Sequence, residues 1–283
     1  MLEHLILIPR AGMCNRLRAI ASARRLRARV GCRCTVIWDW GQFEHFFAPL
    51  PDVQVVNRPP IGAVESNVRM TLDVLLRRPV RYHKYQATRW DWLLQRDASR
   101  SVDLRQPVVE LHSGAIFGGH DEPRLYFPDI RAWLPELSPR LEAQVEEFRS
   151  RHLQGAVGFH IRRTDHQLSI RTSPDELFFA RAAELIAAGR RIFLATDNAV
   201  TERQMRERFG DSLVVYPKQT ALAERWPRPF HPVSADEDLI DLFLLARCEF
   251  IVGCFGSSYT DFAIVLNGSP RCERLMLEQA AAA

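Results

Sequence analysis

The sequence predicts an α/β protein built on parallel sheets, and three observations carry that prediction. Short apolar, strand-forming runs recur at residues 5–8, 34–38, 108–111, 156–161, 191–195 and 250–252. Amphipathic stretches of helix length lie between most of them, at residues 16–29, 139–148, 175–186, 201–209 and 238–246, as parallel strand pairs require. Several runs also end in polar side chains on their carboxyl side, where open α/β sheets bind ligands.

The composition admits one large or two ordinary globular domains with real cores, since 47% of the 283 residues are hydrophobic and 25% charged. The net charge of +4 is almost wholly arginine, with Lys84 and Lys218 the only lysines. A basic balance of that size is weak evidence for a nucleic-acid partner, and none is expected. Six cysteines (Cys14, Cys32, Cys34, Cys248, Cys254 and Cys272) include no C-x-x-C pair, so buried free thiols are expected rather than a zinc site or a disulfide framework. The apolar start is too short to span a membrane and runs into Pro9 and Arg10, which predicts a soluble, cytoplasmic protein.

Residues 5–8 read as a buried first strand, followed by Pro9-Arg10-Ala11-Gly12-Met13-Cys14-Asn15 and a helix. A glycine-containing turn at a helix start can present N–H groups to an anion; taken alone it reads as an ordinary connection with Asn15 as cap. Leu17, Ile20, Leu26 and Val30 mark the core side of that helix, leaving most of Arg16, Arg18, Arg24, Arg25, Arg27 and Arg29 for a solvated face. Strands at 34–38 and 52–56 follow, the first leading to Asp39-Trp40 and the aromatics Phe43, Phe46 and Phe47. Beyond Pro59-Pro60 the pattern is poor, and Trp90 and Trp92 read as packing before sugar stacking. Pro128, Pro135 and Pro139 punctuate a boundary between domains at 1–135 and 136–283, with Ser138 as N-cap of the next helix.

The strand at 156–161 delivers His160, Arg162, Arg163, Thr164, Asp165 and His166. Two adjacent arginines there suggest an anionic ligand, most simply a phosphate or diphosphate; the plainer alternative is surface ion pairing. Residues 166–172 read as a loop, and Ser173-Pro174-Asp175-Glu176 opens a helix. The strand at 191–195 ends in Thr196-Asp197-Asn198, and Gly253-Cys254-Phe255-Gly256-Ser257-Ser258 is a small-residue turn into a helix near Tyr259, a second anion site. Neither a P-loop nor G-x-G-x-x-G occurs, which disfavours ATP hydrolysis by that route and dinucleotide binding. A nucleotide-sugar fits what remains.

The run His160-Ile161-Arg162-Arg163-Thr164-Asp165 resembles the His-x-Arg-Arg-Thr-Asp motif of the α-1,6-fucosyltransferase and nodulation fucosyltransferase group. The strand ending at Asp197, the helical stretch Asp241-Leu242-Phe243-Leu244-Leu245-Ala246 before Phe250-Ile251-Val252, the Phe255-Gly256-Ser257-Ser258 turn and Gly12-Met13-Cys14-Asn15-Arg16-Leu17 are similar to further stretches of that group. The resemblance implies a GT-B fold, with two Rossmann-like domains facing across a cleft. It also implies inverting, metal-independent transfer of fucose from GDP-fucose to a glycan or polysaccharide precursor, with no cofactor beyond the donor. Arg162 or Arg163 would neutralise charge on the departing GDP, Ser257 and Ser258 would hold phosphate oxygens, and His160 and Asp241 would bind guanine. Gly12 and Asn15 would reach the diphosphate from the facing domain; Arg16, Asp197 and Phe255 complete the implied nucleotide-sugar set. The glutamate that serves the group as base is replaced near Ile170, so Asp165 and His166, then Asp175, are the candidates to remove the acceptor proton. The alternatives are another GDP- or UDP-sugar, or a non-catalytic module that binds nucleotide or nucleic acid through its arginines.

Overall fold

The computed structural model describes residues 2–59, 80–83, 107–114, 116–117, 129–164, 167–218 and 234–277. The chain divides into two compact units, Met1–Pro139 and Arg140–Ala283. The aromatic stretch around Trp90, and the candidate bases Asp165 and His166, lie outside the described residues.

In the first unit, strands β1 (His4–Pro9), β2 (Arg33–Trp38), β3 (Gln54–Asn57), β4 (Val80–His83) and β5 (Val108–Ser113) form a parallel sheet in the order β3-β2-β1-β5-β4. β4 falls where the sequence pattern is poor. Helix α1 (Met13–Val30) packs on β1 and β2 and stops at Gly31, whose φ of +76° suits a residue without Cβ and lets its N–H close on the Arg27 carbonyl. The expected solvated arginine face of α1 does not form. Arg16 and Arg18 are buried, Arg24, Arg25 and Arg27 are half-buried, and only Arg29 of the six is exposed. Loops cover the helix face turned away from the sheet and supply acceptors. Arg18 donates to the Gly114 carbonyl at 2.8 Å, Arg24 to Asp52 at 2.9 Å and the Trp133 carbonyl at 2.8 Å, and Arg25 pairs with Asp129 at 3.4 Å. A short helix α2 (Phe43–Phe46) folds its aromatics onto Trp38.

The second unit opens with α3 (Pro139–His152); the Ser138 hydroxyl before it donates to the His45 carbonyl rather than to a capping role. Then come β6 (Val157–Ile161), α4 (Gln167–Thr172), α5 (Asp175–Ala187), β7 (Ile192–Thr196), α6 (Ala199–Phe209), β8 (Leu213–Val214), α7 (Ala235–Ala246), β9 (Ile251–Cys254), α8 (Ser258–Asn267) and β10 (Glu273–Leu275). The sheet order is β10-β9-β6-β7-β8, again parallel. The stretch read as a loop at 166–172 contains α4. Six residues cannot hold a helix alone, and tertiary contact stabilises it: buried Ser169 donates to the Phe255 carbonyl at 2.9 Å. Helix starts follow local chemistry, with Asn198 capping α6 and Ser234 and Glu237 forming a reciprocal capping box on α7.

Alternation along β6 decides what each face meets. Val157, Phe159 and Ile161 enter a core with Phe178, Leu185, Ile192, Leu194 and Val252. Gly158 and His160 point to the other face. A Cβ on Gly158 would stand 2.7 Å from Leu245 of α7, and His160 meets Thr260 of α8. Gly253, the register partner of His160 on β9, is held to glycine more tightly still, because a Cβ there would lie 2.3 Å from Thr260 Cγ2. Thr260 is fully buried and β-branched, so it cannot swing clear. Gly253→Ala is therefore expected to destabilise the second unit by about 1–3 kcal/mol in urea unfolding; a smaller effect would show that α8 can slide away from the sheet.

Candidate active site

β6 and β9 are neighbours, yet from β6 the chain winds towards β7 and β8, and from β9 towards β10. This is a topological switch point, and the crevice beyond the carboxyl ends of two such strands is where open α/β sheets take ligands. Arg162, Arg163 and Thr164 leave β6 at that edge, and the turn at Phe255, Gly256 and Ser257 leaves β9. A backbone bond joins them, the Arg162 N–H donating to Cys254 Sγ at 3.3 Å. Cys254 is a buried free thiol whose proton affinity burial raises.

The structure gives the two arginines different surroundings. The Arg163 guanidinium is engaged on three sides: Nε to Asp175 Oδ1, Nη1 to the Arg162 carbonyl and Nη2 to the Ser173 carbonyl, each at 2.7 Å. It also lies 5.6 Å from the ring centroid of Phe178. Its side chain is 9% exposed. Asp175, a candidate base, is thereby held in an ion pair at the start of α5. Asp197 ties the same turn from β7, its carboxylate accepting from the Arg163 N–H at 2.8 Å and the Thr164 hydroxyl at 2.5 Å. Arg162 is half-buried, and its charge acts on His160 and Asp238.

Around the other strand end, Ser257 is buried and its hydroxyl caps α8 at the Thr260 N–H, while Ser258 is half-buried in the first turn and Gly256 is exposed. The Phe255 backbone is fixed at both ends, its N–H donating to Ser173 Oγ at 2.9 Å and its carbonyl accepting from Ser169. His160 is buried beneath α8, with Nδ1 2.7 Å from Thr260 Oγ1 and its ring stacked on Tyr259 at 4.6 Å. Burial, reinforced by Arg162 and Arg163, pushes this imidazole down from 6.5 to about 3, so it is neutral. On α7, Asp241 is 4% exposed and pairs through Oδ2 with Lys218 Nζ at 2.8 Å. Its Oδ1 is buried and accepts no hydrogen bond among the described residues. Burial raises the proton affinity of both Asp241 and Asp238; for Asp238 the neighbouring charge of Asp241 adds to it. Lys218 and Asp238 were not singled out from the sequence; the acidic spacing Asp238…Asp241 on one helical face was the available signal.

The first unit has its own switch point between β1 and β5, and Gly12, Asn15 and Arg16 follow β1 there. Arg16 is buried, bound through Nη1 to Asp39 at 2.6 Å and through Nε to the Ala11 carbonyl at 2.9 Å, with Trp40 4.9 Å from its guanidinium. Arg10 binds the other Asp39 oxygen at 2.7 Å and also meets His112. The left-handed conformation in this turn falls on Ala11, φ +65°, while Gly12 is extended. Asn15 Oδ1 is buried and accepts no hydrogen bond among the described residues. Among the described residues no group of three or more His, Cys, Asp or Glu could hold a metal ion, and no helix is long and apolar enough to cross a membrane.

A buried neutral imidazole makes stability depend on pH with a definite sign. The unfolded chain protonates His160 below about pH 6.5 while the folded chain resists until about pH 3, so its contribution is full above the first value and is lost as pH falls below it. The stability of wild type relative to His160→Asn in urea unfolding is expected to drop by about 1.4 kcal/mol per pH unit below that point. A difference independent of pH would contradict the buried neutral ring.

Sequence comparison finds no family model and no curated protein that matches the chain. Solved structures do match. The fucosyltransferase NodZ from Bradyrhizobium aligns with a TM-score of 0.58 at 18% identity, covering 93% of this chain and 93% of its own. NodZ α-1,6-fucosyltransferase soaked with GDP-fucose aligns at 0.55 and 20% identity, over 94% and 93%. POFUT1 in complex with GDP aligns at 0.56 and 13% identity, over 97% and 98%. Over nearly its whole length the chain has the GT-B fold that these fucosyltransferases share.

Proposed function

We propose that the protein is an inverting glycosyltransferase that draws its sugar, fucose, from a GDP-linked donor and passes it to a hydroxyl of a glycan or polysaccharide precursor. The observation that carries this reading is the position of Arg162 at the β6/β9 switch point, bonded through its backbone to the strand that leads into α8. The structural neighbours soaked with GDP-fucose or bound to GDP support the donor class.

Donor binding belongs to the second unit, and acceptor recognition to the first. As the acceptor hydroxyl displaces the diphosphate from the anomeric carbon, negative charge grows on the leaving phosphate oxygens. A guanidinium on a fixed backbone and the positive end of a ten-residue helix stabilise that charge. Arg162 and the first turn of α8, with Ser258, supply those groups. The Arg163 guanidinium holds the Arg162 carbonyl, the Ser173 carbonyl and Asp175 in place. Since Asp175 is tied up in that pair, Asp165 and His166 remain the candidates for base.

Nucleotide release from GDP-fucose, GDP-mannose and UDP-glucose, followed chromatographically with the purified chain, tests this. GDP released from GDP-fucose, and little from the UDP-sugar, is the expected outcome. Arg162→Ala should slow release by roughly 100-fold or more, measured on protein shown to be folded by its circular dichroism. Arg163→Ala should cost about 3–5 kcal/mol of stability, because it strands a part-buried carboxylate and two carbonyls. Wild-type turnover in Arg162→Ala would overturn the assignment.

A further inference from the structure

We infer that Ser169 of α4 and Ser173, the residue after that helix, are positioning residues for the leaving diphosphate: together they clamp the backbone of Phe255 and so fix the turn that opens α8. This role rests on the donor reading above. It gives α4, which that reading leaves without a part, the task of holding the phosphate-facing turn.

Both serines are fully buried, and neither hydroxyl is idle. Ser169 Oγ donates to the Phe255 carbonyl at 2.9 Å, and Ser173 Oγ accepts from the Phe255 N–H at 2.9 Å. The two polar backbone groups of one residue are thus held by hydroxyls four residues apart. The Ser173 N–H donates to the Ser169 carbonyl at 2.9 Å, which sets the spacing between them. Ser173 also reaches further. Its hydroxyl donates to the Leu275 carbonyl at 2.6 Å, and its carbonyl accepts from Arg163 Nη2 at 2.7 Å. In a sheet ordered β10-β9-β6, this one residue therefore bonds to β10, to the turn leaving β9 and to the arginine leaving β6. The Leu277 N–H, donating to the Thr172 carbonyl at 2.8 Å, anchors the same end of α4 once more.

The clamped turn could not keep its shape unaided. Gly256, next after Phe255, is exposed and adopts φ +72°, one of the many conformations open to glycine. Ser257 beyond it is 1% exposed, and its hydroxyl caps α8 at the Thr260 N–H. The backbone N–H groups of Gly256 and Ser257 meet no acceptor among the described residues. Buried N–H groups are seldom left without a partner, so the orphan donor of Ser257, beside the open Gly256, points to an acceptor that arrives from outside. With the positive end of α8 at the same place, the acceptor that suits it best is an anion. Donors stabilise an anion most when they are already aimed at it, because ordering a glycine turn on binding costs conformational entropy. With Ser169 and Ser173 in place, that ordering is complete before the ligand arrives.

Titration calorimetry of the full chain with GDP and GMP tests the clamp, because the two share base, ribose and first phosphate and differ in the second. Wild type should bind GDP roughly 100-fold tighter than GMP, about the effect of two hydrogen bonds to a charged group. In Ser173→Ala, and separately in Ser169→Ala, that ratio should fall about tenfold, as if one such bond were lost. Serines that served stability alone would lower the melting temperature and the fraction of chain that binds, and leave the ratio of affinities as it was. That result overturns the assignment while the donor reading stands. Ser169→Ala, which leaves the Phe255 N–H its acceptor, decides alone should Ser173→Ala fail to fold. A wild type that binds GDP no tighter than GMP, or binds neither, overturns the donor reading itself and the clamp's role with it.

Discussion

The carboxylate of Asp197 ties the end of β7 to the end of β6, and the chemistry of the second unit depends on that tie. It accepts from the Arg163 N–H and the Thr164 hydroxyl, so the chain beyond Ile161 cannot fray. With the turn fixed, Arg163 folds back onto Asp175 and the Ser173 and Arg162 carbonyls, and the Arg162 N–H is taken by Cys254. Arg162 therefore extends from a backbone restrained at both its N–H and its carbonyl. Hydrogen bonds that involve a charged group contribute roughly 1.5–3 kcal/mol each, enough in combination to hold a strand end against the entropy of releasing it.

The opposite face of the sheet adds a second restraint. Gly253 lets α8 approach β9 closely enough for Thr260 to reach His160, and His160 stacks on Tyr259, whose hydroxyl holds the α7 backbone at Asp238. One small residue thus links two helices to the strand that carries Arg162. The neutral state of His160 follows from the same packing: an imidazolium there would face two arginines without solvent. In the nucleotide reading its part is to shape the wall of the site rather than to transfer protons.

Much of this was legible in the sequence, and the reasons differ by element. Apolar runs flanked by caps and turn residues located β1, β2, β5, β6, β7 and β9, because strands buried on both faces leave unbroken apolar stretches. β4 and α4 escaped because each depends on a partner far along the chain, β5 for one and the Phe255 turn for the other. The arginines of α1 were read as solvated since a helical wheel shows which face lies towards the sheet but not what covers the rest. Their acceptors at Asp52, Gly114 and Trp133 are 28 to 109 residues away. Arg162 and Arg163 looked alike in sequence, where nothing showed that Asp175 and the Ser173 carbonyl would hold the second guanidinium. The commitment of Asp241 to Lys218, 23 residues earlier, carried no local signal at all.

A crystal structure of the chain grown with GDP tests whether Arg162 meets the diphosphate. The diphosphate is expected beyond the carboxyl ends of β6 and β9, touched by the Arg162 guanidinium and the first turn of α8, with Arg163 still bound to Asp175. Phosphate held by Arg163 with its bond to Asp175 broken, or GDP bound away from this edge, would contradict it.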